Sequence, residues 1–268
     1  MTSVALPPAQ ASPAVTKDAF LGDRLWILQP ATGYRAGIDA VLLAASVSVP
    51  QEDAITEVLD CGAGVGTVGL CVAARCPGAR VTLVEREPVL LGLASRNIAL
   101  NAYESRVTAL SGDIIAPASD ITAPRLDAER FDHVLANPPF HDDTGGTHAR
   151  DPLKRVSHAM HPGALDDWVR FAARMAKPGG RVHIIHKAEA LPALIDALKQ
   201  RFGALSITPI HSYATTPAIR VMIAGIKGSR APLALHPPII LHDSSGAFTP
   251  HVGQILRHGA PLPPQPKD

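Results

Sequence analysis

The 268 residues include 46% hydrophobic side chains, which is enough for a globular core, and the net charge of +1 by itself indicates no polyanionic partner. The three cysteines form no CxxC pair, which excludes a disulfide framework and a zinc site of that type, so we expect a reducing cytoplasm. No apolar run approaches about 18 residues and the N-terminus lacks a signal-peptide pattern, so we expect neither export nor membrane insertion.

The charge is distributed unevenly along the chain. Residues 1–145 hold 10 Lys and Arg against 17 Asp and Glu, whereas residues 146–268 hold 15 against 7. A polyanionic partner would therefore meet the second half, unless the two halves simply differ in surface charge.

Strands and helices alternate along the chain. The hydrophobic pattern predicts strands at 56–60, 80–85, 106–110, 131–136, 181–186, 205–211 and 219–226, and helices at 67–75, 89–100, 165–176 and 190–202. This order predicts an α/β fold with a doubly wound, seven-stranded, mostly parallel sheet and an antiparallel last strand. We expect one domain over residues 18–258, a disordered leader over 1–17 and a disordered tail over 259–268.

The first predicted strand runs into a glycine-rich turn, "DCGAGVG". Doubly wound sheets bind ligands beyond the carboxyl ends of their strands, and Asp60 closes this strand. Gly62, Gly64 and Gly66 allow a tight turn and let a ligand approach the backbone at the start of the next helix. Glu85 ends the second strand, where a carboxylate can accept hydrogen bonds from a ribose diol.

Two cofactor classes compete for this turn. Residues 64–69 also satisfy GxGxxG, and Glu85 follows about 20 residues later, as in dinucleotide-binding folds. Three features favour S-adenosylmethionine. Asp60 would repel a pyrophosphate but suits a cationic amino acid tail, Asp113 after the third strand suits an adenine amine, and the "NPPF" after the fourth strand has no role in hydride transfer.

The fourth strand ends at the NPPF sequence, Asn137-Pro138-Pro139-Phe140. An exocyclic amine is a poor nucleophile, and the Asn137 side-chain oxygen and the Pro138 carbonyl can accept its two N–H groups and direct its lone pair. The prolines hold that carbonyl and add no competing donor. Phe140, with Pro139 beside it, offers a surface for a flipped base. The alternative is an ordinary loop with a buried phenylalanine.

A loop over residues 141–157 follows this sequence. Its histidines and aspartates could hold a metal, but Gly145-Gly146 indicates mobility, so we expect no metal and a lid that orders with substrate. The basic residues of the loop are candidates for phosphate contacts, or else for a solvated face, and they are Arg150, Lys154 and Arg155.

Together these motifs make the sequence similar to the class I S-adenosylmethionine-dependent methyltransferases, with "DCGAGVG", "VER", "SGDI" and "NPPF" in order. With the upstream segment "DAFLGDRLWILQPATGYRAGIDAVLLAAS", residues 18–258 resemble the bacterial tRNA1(Val) adenine-37 N6-methyltransferase family. The resemblance implies that Arg86, Ile114 and Asn137 also contact the cofactor, and that residues 18–50 cover its methionine end.

Residues 33–45 of this covering segment read as a turn that enters an amphipathic helix. The cofactor-site candidates within it are Tyr34, Arg35, Gly37 and Asp39. For Asp39 the alternative is a helix cap, because it precedes an apolar run.

The motif does not determine the substrate. Adenine N6, guanine N2 and glutamine N5 all present two N–H groups on a planar nitrogen, so rRNA guanine and release-factor glutamine remain alternatives, as does an S-adenosylmethionine-binding protein that remodels RNA. The basic second half favours nucleic acid, and the resemblance implies tRNA, held by the lid and by residues 248–259. Trp26, Trp168 and Tyr213 are interpreted as core or interface aromatics.

Overall fold

A computed structural model describes residues 14–33, 35–48, 55–115, 126–139 and 163–262. Its strands are Val15–Phe20 (β1), Leu25–Pro30 (β2), Thr56–Cys61 (β3), Ala79–Glu85 (β4), Val107–Ser111 (β5), Phe131–Ala136 (β6), Ala176–Lys187 (β7), Phe202–His211 (β8), Ala218–Lys227 (β9), Ala234–Leu235 (β10) and Ile239–Ile240 (β11). Its helices are Ile38–Ala45 (α1), Thr67–Arg75 (α2), Pro88–Leu100 (α3), Ala164–Met175 (α4), Leu191–Leu198 (α5) and Pro250–His258 (α6), with a 3₁₀ turn at Ala188–Ala190.

The described strands other than β1 and β2 form one sheet in the order β10-β8-β9-β7-β6-β3-β4-β5, and β11 also pairs with β8. The seven long strands are those predicted, and β9, the last of them in the chain, is antiparallel to β7 and β8. The mostly parallel, doubly wound sheet is thus confirmed. The sheet has nine strands and not seven, because β10 and β11, of two residues each, are too short to leave a hydrophobic pattern.

The order of strands reverses between β3 and β6. The chain proceeds from β3 outward through β4 to β5, then returns to place β6 on the other side of β3. At such a reversal the loops leaving the two central strands diverge and leave a crevice. The glycine-rich turn follows β3, and Asn137-Pro138-Pro139 follows β6, so both lie at this crevice.

Apolar side chains cover both faces of the sheet. One core packs α1, α2, α3 and α6 on one face, and a second core packs α4 and α5 on the other. Each parallel strand therefore reads as an almost continuous apolar run. Helix α3 begins at Pro88, one residue before the predicted start, since proline has no N–H to leave unpaired in the first turn.

Helix α1 is buried along most of its length, which corrects the predicted amphipathic helix. Residues 40–45 are all buried, because the helix packs against α2 and α6 as well as the sheet. The β1–β2 hairpin and α6 lie outside the alternating pattern, so they were not predicted from it.

Both predicted ends of the domain need correction. Strand β1 begins at Val15, inside the predicted leader, because its register with β2 pairs Val15 with Pro30. Residues 259–262 of the predicted tail are ordered against α1, where the Leu262 N–H donates to the Ala45 carbonyl at 2.9 Å. Residues 1–13 and 263–268 lie outside the described residues.

In the second half of the chain, the observed boundary between α5 and β8 also differs from the prediction. Helix α5 ends at Leu198 and β8 already begins at Phe202, which was predicted to end the helix. Phe202 pairs with Lys227 in the β8–β9 ladder, and this long-range pairing overrides the local helical pattern. None of the described helices is long and apolar enough to cross a membrane.

Two groups of buried polar side chains lie in the cores. His133 on β6 and His183 on β7 form a hydrogen bond between ring nitrogens at 2.9 Å, and burial lowers the pKa of both. The three cysteines, Cys61, Cys71 and Cys76, are free thiols and all are buried.

Candidate functional site

An open cavity of about 1070 Å³, including its solvent-facing mouth, lies at the crevice between β3 and β6. It brings together the predicted residues from four successive strand ends. Those that line it are Asp60, Gly62, Gly64, Glu85, Arg86, Asp113, Ile114, Asn137 and Pro139.

The glycine-rich turn adopts backbone conformations that favour glycine. Gly62, Gly64 and Gly66 have φ values of 62°, 57° and 86°, in the left-handed region. At Gly62 there is also no room for a side chain, because an added Cβ would lie 2.4 Å from the tip of the Trp168 ring. Trp168 itself lines the cavity, so it belongs to the site and not only to the core.

Sequence reasoning missed Trp168 as a site residue. It lies on α4, one helical turn after Ala164, and both residues line the cavity. Its position near the start of α4 could have indicated this role, because a helix that connects two parallel strands begins at the edge of the sheet where ligands bind.

The Glu85 carboxylate is held at the end of β4 by two backbone groups. Its Oε2 accepts the Gly64 N–H at 2.8 Å and its Oε1 accepts the Glu87 N–H at 2.8 Å. The side chain is only 6% exposed. These hydrogen bonds connect the second strand end to the glycine-rich turn and fix the direction of the carboxylate.

Asp60 is buried under the same turn. Burial, with a smaller contribution from the Glu85 charge, raises the pKa of Asp60 to about 7, although the N–H of Gly69 donates to its Oδ2 at 2.9 Å. Gly69 lies in the first turn of α2, so Asp60 does stabilise a helix N-terminus. It still lines the cavity.

The third strand end carries Asp113. Its Oδ1 accepts the Ile115 N–H at 3.1 Å, and its Oδ2 lies 3.6 Å from a guanidinium nitrogen of Arg86. Both side chains line the cavity and are more than a third exposed, so this pair contributes little to stability.

The fourth strand end is β6. Pro138 is buried, whereas Asn137 and Pro139 are half-buried and line the cavity. His186, at the end of the neighbouring β7, has its pKa lowered to about 4 by burial, against the opposing effect of hydrogen bonds with the backbone of Lys187 and Pro139. A neutral imidazole therefore lies beside the proline pair.

The predicted covering segment lines the cavity with residues other than those predicted. Ala36 and Ala40 line the cavity, whereas Arg35, Gly37 and Asp39 are not among its lining residues. Arg35 and Asp39 each bond a residue outside the cavity lining. Arg35 donates to Asp18 Oδ2 at 2.8 Å, and Asp39 Oδ2 accepts from Arg220 Nε at 3.0 Å.

The helix-cap alternative for Asp39 is not observed. Gly37 occupies the cap position of α1, no side chain caps the helix, and Asp39 lies in the first turn. The remaining predicted site residues lie outside the described residues, and they are Tyr34, Phe140, Arg150, Lys154 and Arg155. Within the described ranges, no three His, Cys, Asp or Glu side chains form a metal-binding group.

The known proteins that resemble this chain are methyltransferases. The model of the methyltransferase small domain family matches residues 39–209. A tRNA1(Val) (adenine(37)-N6)-methyltransferase from Porphyromonas gingivalis is 27% identical over 244 residues, covering 87% of this chain and 91% of the relative. The protein of the same name from Pedobacter heparinus is 27% identical, covering 90% and 97%.

Among solved structures, a predicted O-methyltransferase from Agrobacterium tumefaciens is 33% identical with a TM-score of 0.70, covering 84% of this chain and 98% of that one. The family match spans more than half of the chain, and its limits enclose the glycine-rich turn, all four strand ends and the NPPF sequence. The chain therefore belongs to the methyltransferase small domain family and is a methyltransferase.

Proposed function

We propose that this methyltransferase uses S-adenosylmethionine to methylate N6 of an adenine in tRNA, as the names of its tRNA1(Val) adenine-37 relatives state for those proteins. The observation that carries the proposal is the position of Asn137 and Pro139. They enter the same cavity as Asp60 and Glu85, at the crevice where the strand order reverses. A methyl-donor pocket and an amine-recognition loop thus share one cavity.

We assign the cofactor to the first three strand ends. The cationic amino acid tail lies at Asp60, the ribose diol at Glu85, and the adenine at Asp113 and Ile114, with the Trp168 ring as one wall. The cofactor supplies an electrophilic methyl group. The Gly64 backbone and the two hydrogen bonds on Glu85 keep the pocket in one shape before anything binds, which lowers the entropy that binding must overcome.

We assign the acceptor amine to the fourth strand end. The Asn137 side-chain oxygen accepts one N–H and the Pro138 carbonyl accepts the other, which directs the nitrogen lone pair toward the methyl group. Pro138 is buried and His186 contacts the backbone of Pro139, so the carbonyl is held in place. Stacking of the base on Phe140 remains a prediction, as do the phosphate contacts of Arg150, Lys154 and Arg155.

A hydroxyl acceptor is the second candidate, because the Agrobacterium tumefaciens structure is described as a predicted O-methyltransferase. A hydroxyl must lose its proton to become a good nucleophile, which requires a general base. Asn137 is a neutral amide and cannot be that base. It suits an amine, whose proton leaves after methyl transfer, so the Asn-Pro-Pro loop favours nitrogen.

The experiment is transfer of a tritiated methyl group to bulk tRNA from a strain that lacks this gene, followed by nucleoside mass spectrometry. We expect N6-methyladenosine with the natural protein. With Asn137→Ala we expect about a hundredfold to thousandfold lower kcat, the loss typical of one transition-state hydrogen bond, while the variant still binds the cofactor through the first three strand ends. Asn101→Ala, which alters a half-buried asparagine that follows α3, is the matched control and should be fully active.

Other outcomes identify the alternatives. Label found only in ribosomal RNA or in release factors would replace the substrate and keep the amine chemistry. Label on a ribose or other hydroxyl would contradict the role of Asn137. Cofactor binding without transfer to any of these would indicate a protein that remodels RNA.

A further inference from the structure

Three aromatic rings pack together on the surface of the second half of the chain. His242 and Phe248 are stacked, with ring centroids 4.8 Å apart and an interplanar angle of 22°, whereas Tyr213 and His242 are tilted by 37° with centroids 5.6 Å apart. Tyr213 is 41% exposed and Phe248 is 40% exposed. We call Tyr213, His242 and Phe248 the aromatic platform.

The aromatic platform lies at the edge of the sheet that carries the cavity. Strand β8 is antiparallel to β9, and β9 is antiparallel to β7, so β8 and β7 run in the same direction. The chain leaves β8 at His211, just before Tyr213, and leaves β11 just before His242. Since β8 is three strands from β6 in the sheet, the two strands are about 14 Å apart. The platform follows β8 and β11, so it lies at least about that far from Asn137, which follows β6.

Backbone hydrogen bonds hold the platform in place. His242 N–H donates to the Ser212 carbonyl at 2.9 Å, and an isolated bridge pairs His242 with Phe248. The intervening turn is closed by Asp243, whose Oδ1 accepts the backbone N–H groups of Ser245 and Ala247. Exposed aromatic rings on a fixed backbone lose little entropy when a planar ligand stacks on them.

Cationic side chains lie between the platform and the cavity. In the β7–β9 register Lys187 lies opposite Arg220, and in the β8–β9 register Arg220 lies opposite Ile210. These side chains pair with Glu189 at 3.4 Å and with Asp39 at 3.0 Å. The Glu189 side chain is 76% exposed, so its pair with Lys187 is weak and a phosphate can replace that carboxylate. The Arg220 and Asp39 side chains are mostly buried. The second half of the chain also carries a net positive charge, which favours an RNA backbone on this side.

We propose that the aromatic platform stacks an unpaired nucleotide of the RNA substrate, a few nucleotides from the methylated adenine, while the strand between them passes over Lys187. The proposal rests on the proposed function for the identity of the RNA. Flat exposed rings combined with cations on one edge are the pattern of single-strand binding surfaces, where stacking tolerates any base.

The test measures binding of fluorescently labelled tRNA by anisotropy, separately from methyl transfer. Stacking contributes about 1–3 kcal/mol per base, so we expect Phe248→Ala and Tyr213→Ala each to weaken tRNA binding by about 5- to 150-fold. Phe248→Trp keeps a ring and should bind like the natural protein, whereas Phe248→Leu keeps only apolar bulk and should not. Affinity for S-adenosylhomocysteine should stay within twofold throughout.

Trp26→Ala is the matched control. Trp26 is 38% exposed, but it lies beside Asn101 at the carboxyl end of α3, on the opposite edge of the sheet. Its removal should leave tRNA binding unchanged.

The outcomes separate the platform from the proposed function. Unchanged tRNA affinity in both alanine variants would overturn the platform, even if the natural protein methylates tRNA. Equal loss in Phe248→Trp and Phe248→Ala would also overturn it. If the natural protein methylates no tRNA but binds unpaired RNA through these rings, the platform stands and the proposed substrate fails.

Discussion

The Asp60 carboxyl group links the site to pH. Its pKa of about 7 in the unliganded protein means that about half of the molecules carry a neutral acid at neutral pH, whereas a cationic amino acid tail requires the carboxylate. Binding must therefore remove a proton from part of the population. The burial that raises this pKa also strengthens the interaction once the ion pair forms.

We predict that affinity for S-adenosylhomocysteine, which has the same tail, rises with pH by up to about tenfold per unit below pH 7 and levels off above it. Titration calorimetry between pH 5.5 and 7.5 measures this slope. Asp60→Asn should bind more weakly and without the slope, whereas Asp113→Asn, at another strand end, should retain it. A slope that persists in Asp60→Asn would assign the proton to a different group.

Sequence alone identified the polar groups of the site well. Asp60, Glu85, Asp113 and Asn137 each follow a buried run, and the edge they share follows from parallel strands. Trp168 could not be placed in the same way, because its contact with Gly62 joins two elements that are far apart in the chain. An aromatic residue on an amphipathic helix carries no local mark that separates a pocket wall from a core side chain.

At the scale of elements, the β1–β2 hairpin is fastened to α3 by two asparagines that are four residues apart. Asn97 is fully buried and makes three hydrogen bonds, since its Oδ1 accepts the Leu28 N–H at 2.7 Å and its Nδ2 donates to the carbonyls of Leu28 and Val65. Asn101 bonds the N–H and carbonyl of Trp26 in the same manner, but these bonds are exposed to solvent.

We predict that Asn97→Ala lowers the free energy of unfolding by about 2–4 kcal/mol, because it leaves buried backbone groups without partners. Asn101→Ala should cost less than about 1 kcal/mol, because water replaces its bonds. Urea unfolding of the two variants measures both values. Similar losses in the two would show that burial does not decide the cost.

The β1–β2 hairpin also belongs to the elements that were not predicted from the sequence. The alternation of strands and helices was readable because every βα unit repeats one pattern, whereas β1 pairs with β2, and α6 and residues 259–262 pack against α1. These elements lie outside the repeating pattern, and composition rich in Pro, Ala and Ser concealed β1.

At the scale of the whole molecule, buried histidines make stability depend on pH. Burial lowers the pKa of His133 and His186 to about 4 and that of His183 further. The unfolded value is about 6.5, so the unfolded chain binds the additional protons as pH falls from about 6.5 toward 4. Asp60 acts in the opposite sense, since its raised pKa favours the folded chain as pH falls below 7.

We predict that the three histidines outweigh Asp60 and that the free energy of unfolding drops by about 2–4 kcal/mol between pH 7.5 and pH 5. Urea unfolding at the two pH values gives the difference. In His183→Gln, which keeps a polar group but cannot take up a proton in this range, the difference should be smaller whatever the variant's stability at pH 7.5. An undiminished difference would assign the effect to other groups.

The reactivity of the three buried cysteines reports how often the folded chain opens. Burial raises the pKa of each thiol, that of Cys71 to about 12, so the reactive thiolate is almost absent while the chain is folded. Cys61 ends β3 and Cys71 lies on α2, the two elements that the glycine-rich turn connects. An alkylating reagent therefore modifies these thiols only when the cofactor pocket opens. A ligand that binds the closed pocket slows this modification, and the effect increases with its affinity and concentration.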